Sequence, residues 1–167
     1  FLKLLSFGVS NMKKKEVLHI AKDLNKKLNI VPLLFGSLGL EQRLDVCLNA
    51  EDIDVLVPEE FLNDKWQYIV DVMTDNGYAL YDLHEHAFDK DGLSLAYASI
   101  ESLTPFADVD IASIPIINEN GIQYFLLELQ DYLKVYTASS KDGYRKNIKN
   151  KQDRQKINLI NEALGTD

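Results

Sequence analysis

An α/β fold, with a mixed β-sheet flanked by helices and a helical C-terminus, is expected from three observations. Short apolar runs of strand length alternate with segments of helical spacing. A turn signal, DKDG at 89–92, splits a hairpin. Helical spacing then takes over the C-terminal third. Composition agrees: 46% hydrophobic and 26% charged residues in 167 positions suit one globular domain. Its core is expected over about 11–126 and its C-terminal helices over about 127–164.

The elements follow in order. Val17, Ile20, Ala21, Leu24 and Leu28 mark a helix over 11–29, capped by Ser10 or Asn11. IVPLLF at 30–35 reads as a strand that ends at Gly36-Ser37. Leu40, Leu44, Cys47 and Leu48 give a short amphipathic helix, with Cys47 a small buried hydrophobe on its stripe. DIDVLV at 52–57 is the second strand, stopped by Pro58. A helix over about 59–75 follows, closed by Asn76-Gly77. Segments 78–88 and 93–101 form the hairpin, and ADVDIASI at 107–114 reads as another strand ended by Pro115. NENG turns into IQYFLLELQDYLKVY, which begins as strand or loop and continues as helix, and 139–163 holds one or two more helices.

Charge narrows the function. A net charge of −8 argues against a general nucleic-acid binder, which needs a positive surface. Eight of the eighteen basic residues nevertheless fall in 134–156, as either a solvated helical face or a wall for a small polyanion such as a triphosphate. No apolar run approaches the length of a membrane span. In FLKLLSFGVSNMKKK the lysines follow the apolar residues, the reverse of a signal peptide, so a cytoplasmic address is expected. The lone cysteine cannot form an internal disulfide.

The chemistry concentrates at two places. In a strand, Asp52 and Asp54 share a face while Ile53 and Val55 share the other. Two carboxylates so placed can grip Mg²⁺, which prefers hard oxygen ligands and keeps sites for water or phosphate. Asp108 and Asp110 repeat the pattern on 107–114, and if the strands are neighbours three or four carboxylates converge. Gly36-Ser37, at the end of the first strand, offers bare backbone and a hydroxyl to phosphate oxygens. Elsewhere, Asp82, His84 and His86 would share one strand face at metal-ligand spacing. Tyr97, Tyr124, Tyr132, Tyr136 and Tyr144 are candidate platforms for a base or sugar.

Gly36-Ser37, then Asp52-x-Asp54 opening a strand, then an Asp in a later strand, resembles the nucleotidyltransferase superfamily that includes the polymerase-beta catalytic domain. Among its branches the chain is most similar to the small enzymes that adenylylate lincosamides and aminoglycosides. Residues 30–114 carry the motifs, and the order of elements extends the likeness to the whole chain. Two departures stand out: Ser37 replaces the second glycine of a Gly-Gly turn, and Ala50-Glu51 stand where a His and a basic residue often precede the acidic pair.

The resemblance implies Gly36 and Ser37 on the β- and γ-phosphates, Asp52 and Asp54 on Mg²⁺ or Mn²⁺, and Asp110 (or Asp108) as the third acid and proton acceptor. Arg43, Lys141, Arg145 and Lys151 become candidates to neutralise the polyphosphate. The implied function is transfer of a nucleoside monophosphate from an NTP, ATP first, to a hydroxyl of a small molecule or protein. The alternative is an inactive, antitoxin-like binding module of the same fold. The implied partners are the nucleotide and its acceptor, with no membrane, no nucleic acid, and a homodimer left open.

Overall fold

The structure, a computed structural model, describes residues 2–141 and 148–165. Helix α1 (Leu2–Leu28) leads into strand β1 (Leu33–Phe35) and, with no intervening loop, helix α2 (Gly36–Leu44). Strand β2 (Ile53–Val57) is followed by a 3₁₀ turn at Glu59–Leu62 and helix α3 (Trp66–Asp75). Strands β3 (Ala79–Asp82), β4 (Ala87–Lys90) and β5 (Leu93–Ser99) form a meander. Short helix α4 (Leu103–Ala107), strands β6 (Ile116–Glu119) and β7 (Ile122–Phe125), and helices α5 (Leu129–Lys141) and α6 (Ile148–Leu164) complete the chain.

The seven strands form one sheet in the order β3-β4-β5-β2-β1-β7-β6. It is mixed: β2 runs parallel to β5 and β1 parallel to β7, while the other pairs are antiparallel. Alternation along the strands divides the core in two. Ile53, Val55 and Val57 of β2 and Leu34 of β1 pack with Val17, Ile20 and Leu24 of α1 and Ile69, Val72 and Met73 of α3. Leu56 and Leu33 point the other way, into a cluster with Leu103, Tyr132, Val135, Tyr136 and Ile160 from α4, α5 and α6. Asp54 is on the Leu56 face, so its carboxylate shares a side of the sheet with the C-terminal helices.

Turn chemistry fixes the two-residue hairpins. Asp91-Gly92 between β4 and β5, and Asn120-Gly121 between β6 and β7, have positive φ at both positions, as type I′ turns require. The expected α/β architecture holds, but the 78–88 arm of the hairpin is broken into β3 and β4 and the 59–75 helix into a 3₁₀ turn and α3. Three further expectations are corrected. Helix α1 begins at Leu2 rather than at a Ser10 or Asn11 cap. Cys47 lies beyond the end of α2, half-buried, its thiol toward the Asn49 side chain.

Residues 107–114 are the third correction, because they are not a strand. Asp108 ends α4 in the left-handed conformation (φ 57°), and the Asp110 carboxylate accepts the N–H of Ala112 to cap a 3₁₀ turn at Ile111–Ser113. An aspartate that bonds its own backbone, as Asp110 does, competes with a sheet ladder, and here it wins. Among the described residues, no helix is long and apolar enough to cross a membrane.

Candidate active site

Gly36 is where β1 becomes α2, and two constraints meet there. Its φ is +64°, and a Cβ built on it would be 2.5 Å from Oδ2 of Asp54, the residue paired with Phe35 across the ladder. Only glycine provides both the left-handed backbone and the clearance. The close approach brings the acidic residue of β2 to the mouth of α2. The N-cap residue of that helix, Phe35, has no side chain that can cap it, so the helix mouth beside Ser37 carries the partial positive charge of its first-turn N–H groups.

Ser37, Asp52 and Asp54 line one cleft of about 470 Å³. Asp52 is exposed just before β2, and Asp54 is half-buried within it. Asn49 and Glu51 form part of the near wall; Gln152, Asp153, Gln155, Lys156 and Leu159 of α6 form the far wall. The expected meeting of Gly36, Ser37, Asp52 and Asp54 therefore occurs, and α6 closes over it.

The loop from α2 to β2 is held by residues whose role the sequence did not disclose. The buried Glu41 carboxylate accepts the backbone N–H groups of Leu48 (2.9 Å) and Ala50 (3.0 Å). The Lys13 ammonium of α1 donates to the carbonyls of Ala50 and Glu51. The chain is thus tied from both sides at Ala50, two residues before Asp52. Glu41 falls at helical spacing with Leu38, Leu44 and Leu48, and an acid on an apolar stripe is the signal that could have found it.

Behind the cleft, Gly39 accommodates Tyr132: a Cβ there would stand 2.1 Å from the tyrosine oxygen. Tyr132 donates to the Leu34 carbonyl (3.5 Å) and stacks on Tyr136, ring centroids 6.0 Å apart. Burial first, and the neighbouring Tyr136 second, hold the Tyr132 hydroxyl well above its usual range, while Arg43 pulls the other way.

Other candidates fall outside the cleft. On its other side β2 pairs with β5, and there the residue across from Asp54 is Ala96. Asp108 and Asp110 lie at the end of α4, where Lys134 of α5 donates to the Asp108 carbonyl. Asp110 adds its charge to that around Asp131 of α5, whose pKa is raised chiefly by burial. The sheet face at Asp54 thus lacks the third and fourth acids expected from 107–114. The Arg43 guanidinium donates to the carbonyls of Leu127 (2.9 Å) and Leu126 (3.0 Å), fixing the entry to α5 rather than facing the cleft. Lys141 lines a separate open groove with Asp108, and Lys151 is exposed on α6 away from the cleft-lining stripe. Arg145 and Tyr144 lie outside the described residues.

The Asp82, His84 and His86 group is not on one strand face. Asp82 ends β3 and accepts the Glu85 N–H, His84 is exposed beside Glu85, and His86 has φ 52° with its ring edge on Trp66. Among the described residues, no group of three ligating side chains is arranged for a metal. Tyr97 and Tyr124 are core residues, bonded to the Met73 sulfur and to Glu119.

No protein-family profile matches the chain. It is 46% identical over 149 residues to the uncharacterized protein YnaI of Bacillus subtilis (strain 168), covering 89% of this chain and 96% of that one. Solved structures of like fold include the antibiotic-resistance factor ANT(2'')-Ia. Its complex with adenylyl-2''-tobramycin aligns with a TM-score of 0.55 at 12% identity, over 89% of this chain and 88% of the other. Its solution structure aligns at 0.52 and 16% identity, over 92% and 85%. An antigenic nucleotidyltransferase-like protein from Paracoccidioides brasiliensis aligns at 0.60 and 16% identity, over 95% and 76%. The fold is nucleotidyltransferase-like, and by its likeness to YnaI across nearly the whole of both chains, this protein belongs to the YnaI family.

Proposed function

We propose that the protein transfers a nucleoside monophosphate from an NTP, ATP first, to a hydroxyl of a small molecule or a protein side chain. One observation carries the reading: the Gly36 backbone packs on the Asp54 carboxylate in a cleft that also holds Ser37 and Asp52. The N–H groups of a helix mouth favour phosphate, and two carboxylates beside them favour a cation that accompanies phosphate. The likeness of fold to ANT(2'')-Ia, solved with adenylyl-2''-tobramycin, supports a small-molecule acceptor.

The donor set fits Mg²⁺ or Mn²⁺. Two carboxylates and a hydroxyl are too few for a closed cage, and they suit an ion that keeps waters and takes phosphate oxygens as its remaining ligands. Asp52 and Asp54 would hold it, and when bound it would neutralise charge on the phosphates and the departing pyrophosphate. Ser37 and the first-turn N–H groups of α2 would grip the phosphate tail. The acceptor oxygen would bond to the α-phosphorus as the bond to the α–β bridging oxygen breaks. Its proton would leave to water or to Glu51, the exposed carboxylate next to Asp52 in the cleft. Asp108 and Asp110, at the end of α4, take no part in this scheme.

The second reading is a nucleotide-binding module without turnover, and Ala96 opposite Asp54 favours it. The two readings diverge in pyrophosphate release across an acceptor screen. Both require binding. Titration calorimetry with Mg²⁺ and a non-hydrolysable ATP analogue should show binding to the wild type and none to Asp52→Asn/Asp54→Asn, with GTP and CTP analogues run alongside. The double variant should remain folded by thermal melt, because each amide keeps the size and hydrogen-bonding oxygen of the carboxylate it replaces. A large loss of thermal stability in metal-free buffer would mean that the aspartates serve the fold instead.

A further inference from the structure

We propose that Lys156 is the side chain that binds the phosphate tail of the nucleotide, and that Tyr136 positions it. This inference rests on the nucleotide reading of the cleft. Among the described residues that line the cleft, Lys156 is the single cation, set against Glu51, Asp52, Asp54 and Asp153. A triphosphate brings more negative charge than one divalent ion neutralises, and the helix mouth offers only partial charge. A full positive charge on the opposite wall completes the balance.

The position of Lys156 is set by how α6 packs. Asp153 is buried and accepts the Ser139 hydroxyl of α5 at 2.9 Å; Ile160 is fully buried in the cluster with Leu33 and Leu56. With Ile160 pointing inward and Asp153 held at the cleft edge by Ser139, Gln152, Asp153, Gln155, Lys156 and Leu159 form the stripe that lines the cleft. The Lys156 ammonium stands 5.0 Å from the centre of the Tyr136 ring. Tyr136 stacks on Tyr132, which reaches the Leu34 carbonyl beside the start of α2. Two stacked rings therefore connect the β1–α2 corner to the ammonium on the far wall. A lysine braced on an aromatic face gives up less freedom when it meets a ligand than one waving in solvent.

The experiment compares affinities for a non-hydrolysable Mg·ATP analogue and for AMP in the wild type, Lys156→Met, Lys156→Arg, Tyr136→Phe and Tyr136→Leu, with thermal melts to check folding. Loss of a charge-assisted contact predicts a fall of about tenfold or more in triphosphate affinity for Lys156→Met. AMP affinity should change little, and Lys156→Arg should restore most of the loss. Tyr136→Phe keeps the ring and should bind as the wild type, whereas Tyr136→Leu should weaken the triphosphate selectively. Equal triphosphate affinity in the wild type and Lys156→Met would overturn the role of Lys156 and leave the nucleotide reading standing. Equal losses for triphosphate and AMP would also overturn it, since a structural role has that signature. No triphosphate binding by the wild type would overturn the nucleotide reading and this inference together.

Discussion

Gly36 is the residue on which the site turns, because it meets a backbone demand and a steric one at once. Its φ of +64° costs an alanine about 1–2 kcal/mol, and the added Cβ would press on the Asp54 carboxylate 2.5 Å away. Gly36→Ala should therefore lower stability by roughly 1–3 kcal/mol in denaturant unfolding. The cost should shrink, without vanishing, when Asp54 is also replaced by Ala, since only the steric part is shared between the two positions. A fully additive pair would show that the two groups do not touch. Gly36, Ser37, Asp52 and Asp54 were all legible in the sequence: a glycine ending one apolar run and an Asp-x-Asp opening the next have few purely structural reasons to occur together. Lys13 was not, because the carbonyls it holds lie 37 and 38 residues along the chain and backbone partners leave no residue pattern. Glu41, seven and nine residues from the N–H groups it accepts, was signalled only by its place on an apolar stripe.

At the scale of elements, the core of the sheet was readable and its flanks less so. Alternation identified β2, and the Gly-containing turn signals located the β4–β5 corner, because period and turn chemistry are local properties. The stretch 107–114 misled for an equally local reason. Alternating Asp and apolar residues satisfy the strand period, yet Asp108 takes the left-handed conformation and Asp110 caps a turn. Which strand lies beside β2 is a long-range fact, and no spacing within the chain reveals that Ala96 faces Asp54. The C-terminal helices were expected, but the side of α6 that meets the cleft depends on Asp153 being drawn inward by Ser139. The packing of α5 beneath α2 carries a pH prediction. Burial keeps the Tyr132 hydroxyl well above its ordinary pKa of 10.0. Its contribution to stability is complete below that pH and is lost as pH rises above it toward the folded-state value. Unfolding free energy should fall in this alkaline range, and Tyr132→Phe should flatten the decline. An unchanged slope would show that the hydroxyl does not stay protonated in the fold.

The whole molecule is a sheet with helices on both faces, and the cleft opens where the Asp54 face meets the last helix. The core beneath one face, built by α1 and α3, is apolar and closed. The other face, beneath α4, α5 and α6, is apolar at Leu56 and Leu33 and becomes polar at the Asp54 end of β2. That gradient gives a water-accessible cleft floored by the sheet, which suits chemistry that depends on positioning and charge rather than on a covalent intermediate. The central claim is that Asp52 and Asp54 share a divalent cation with a nucleotide whose phosphates reach Ser37. A crystal grown with Mn²⁺ and a non-hydrolysable ATP analogue tests it most directly, through anomalous scattering. The account predicts a manganese peak within about 2.5 Å of carboxylate oxygens from both aspartates, with phosphate density running to the mouth of α2. Manganese bound at other residues, or a triphosphate seated elsewhere on the molecule, would contradict it.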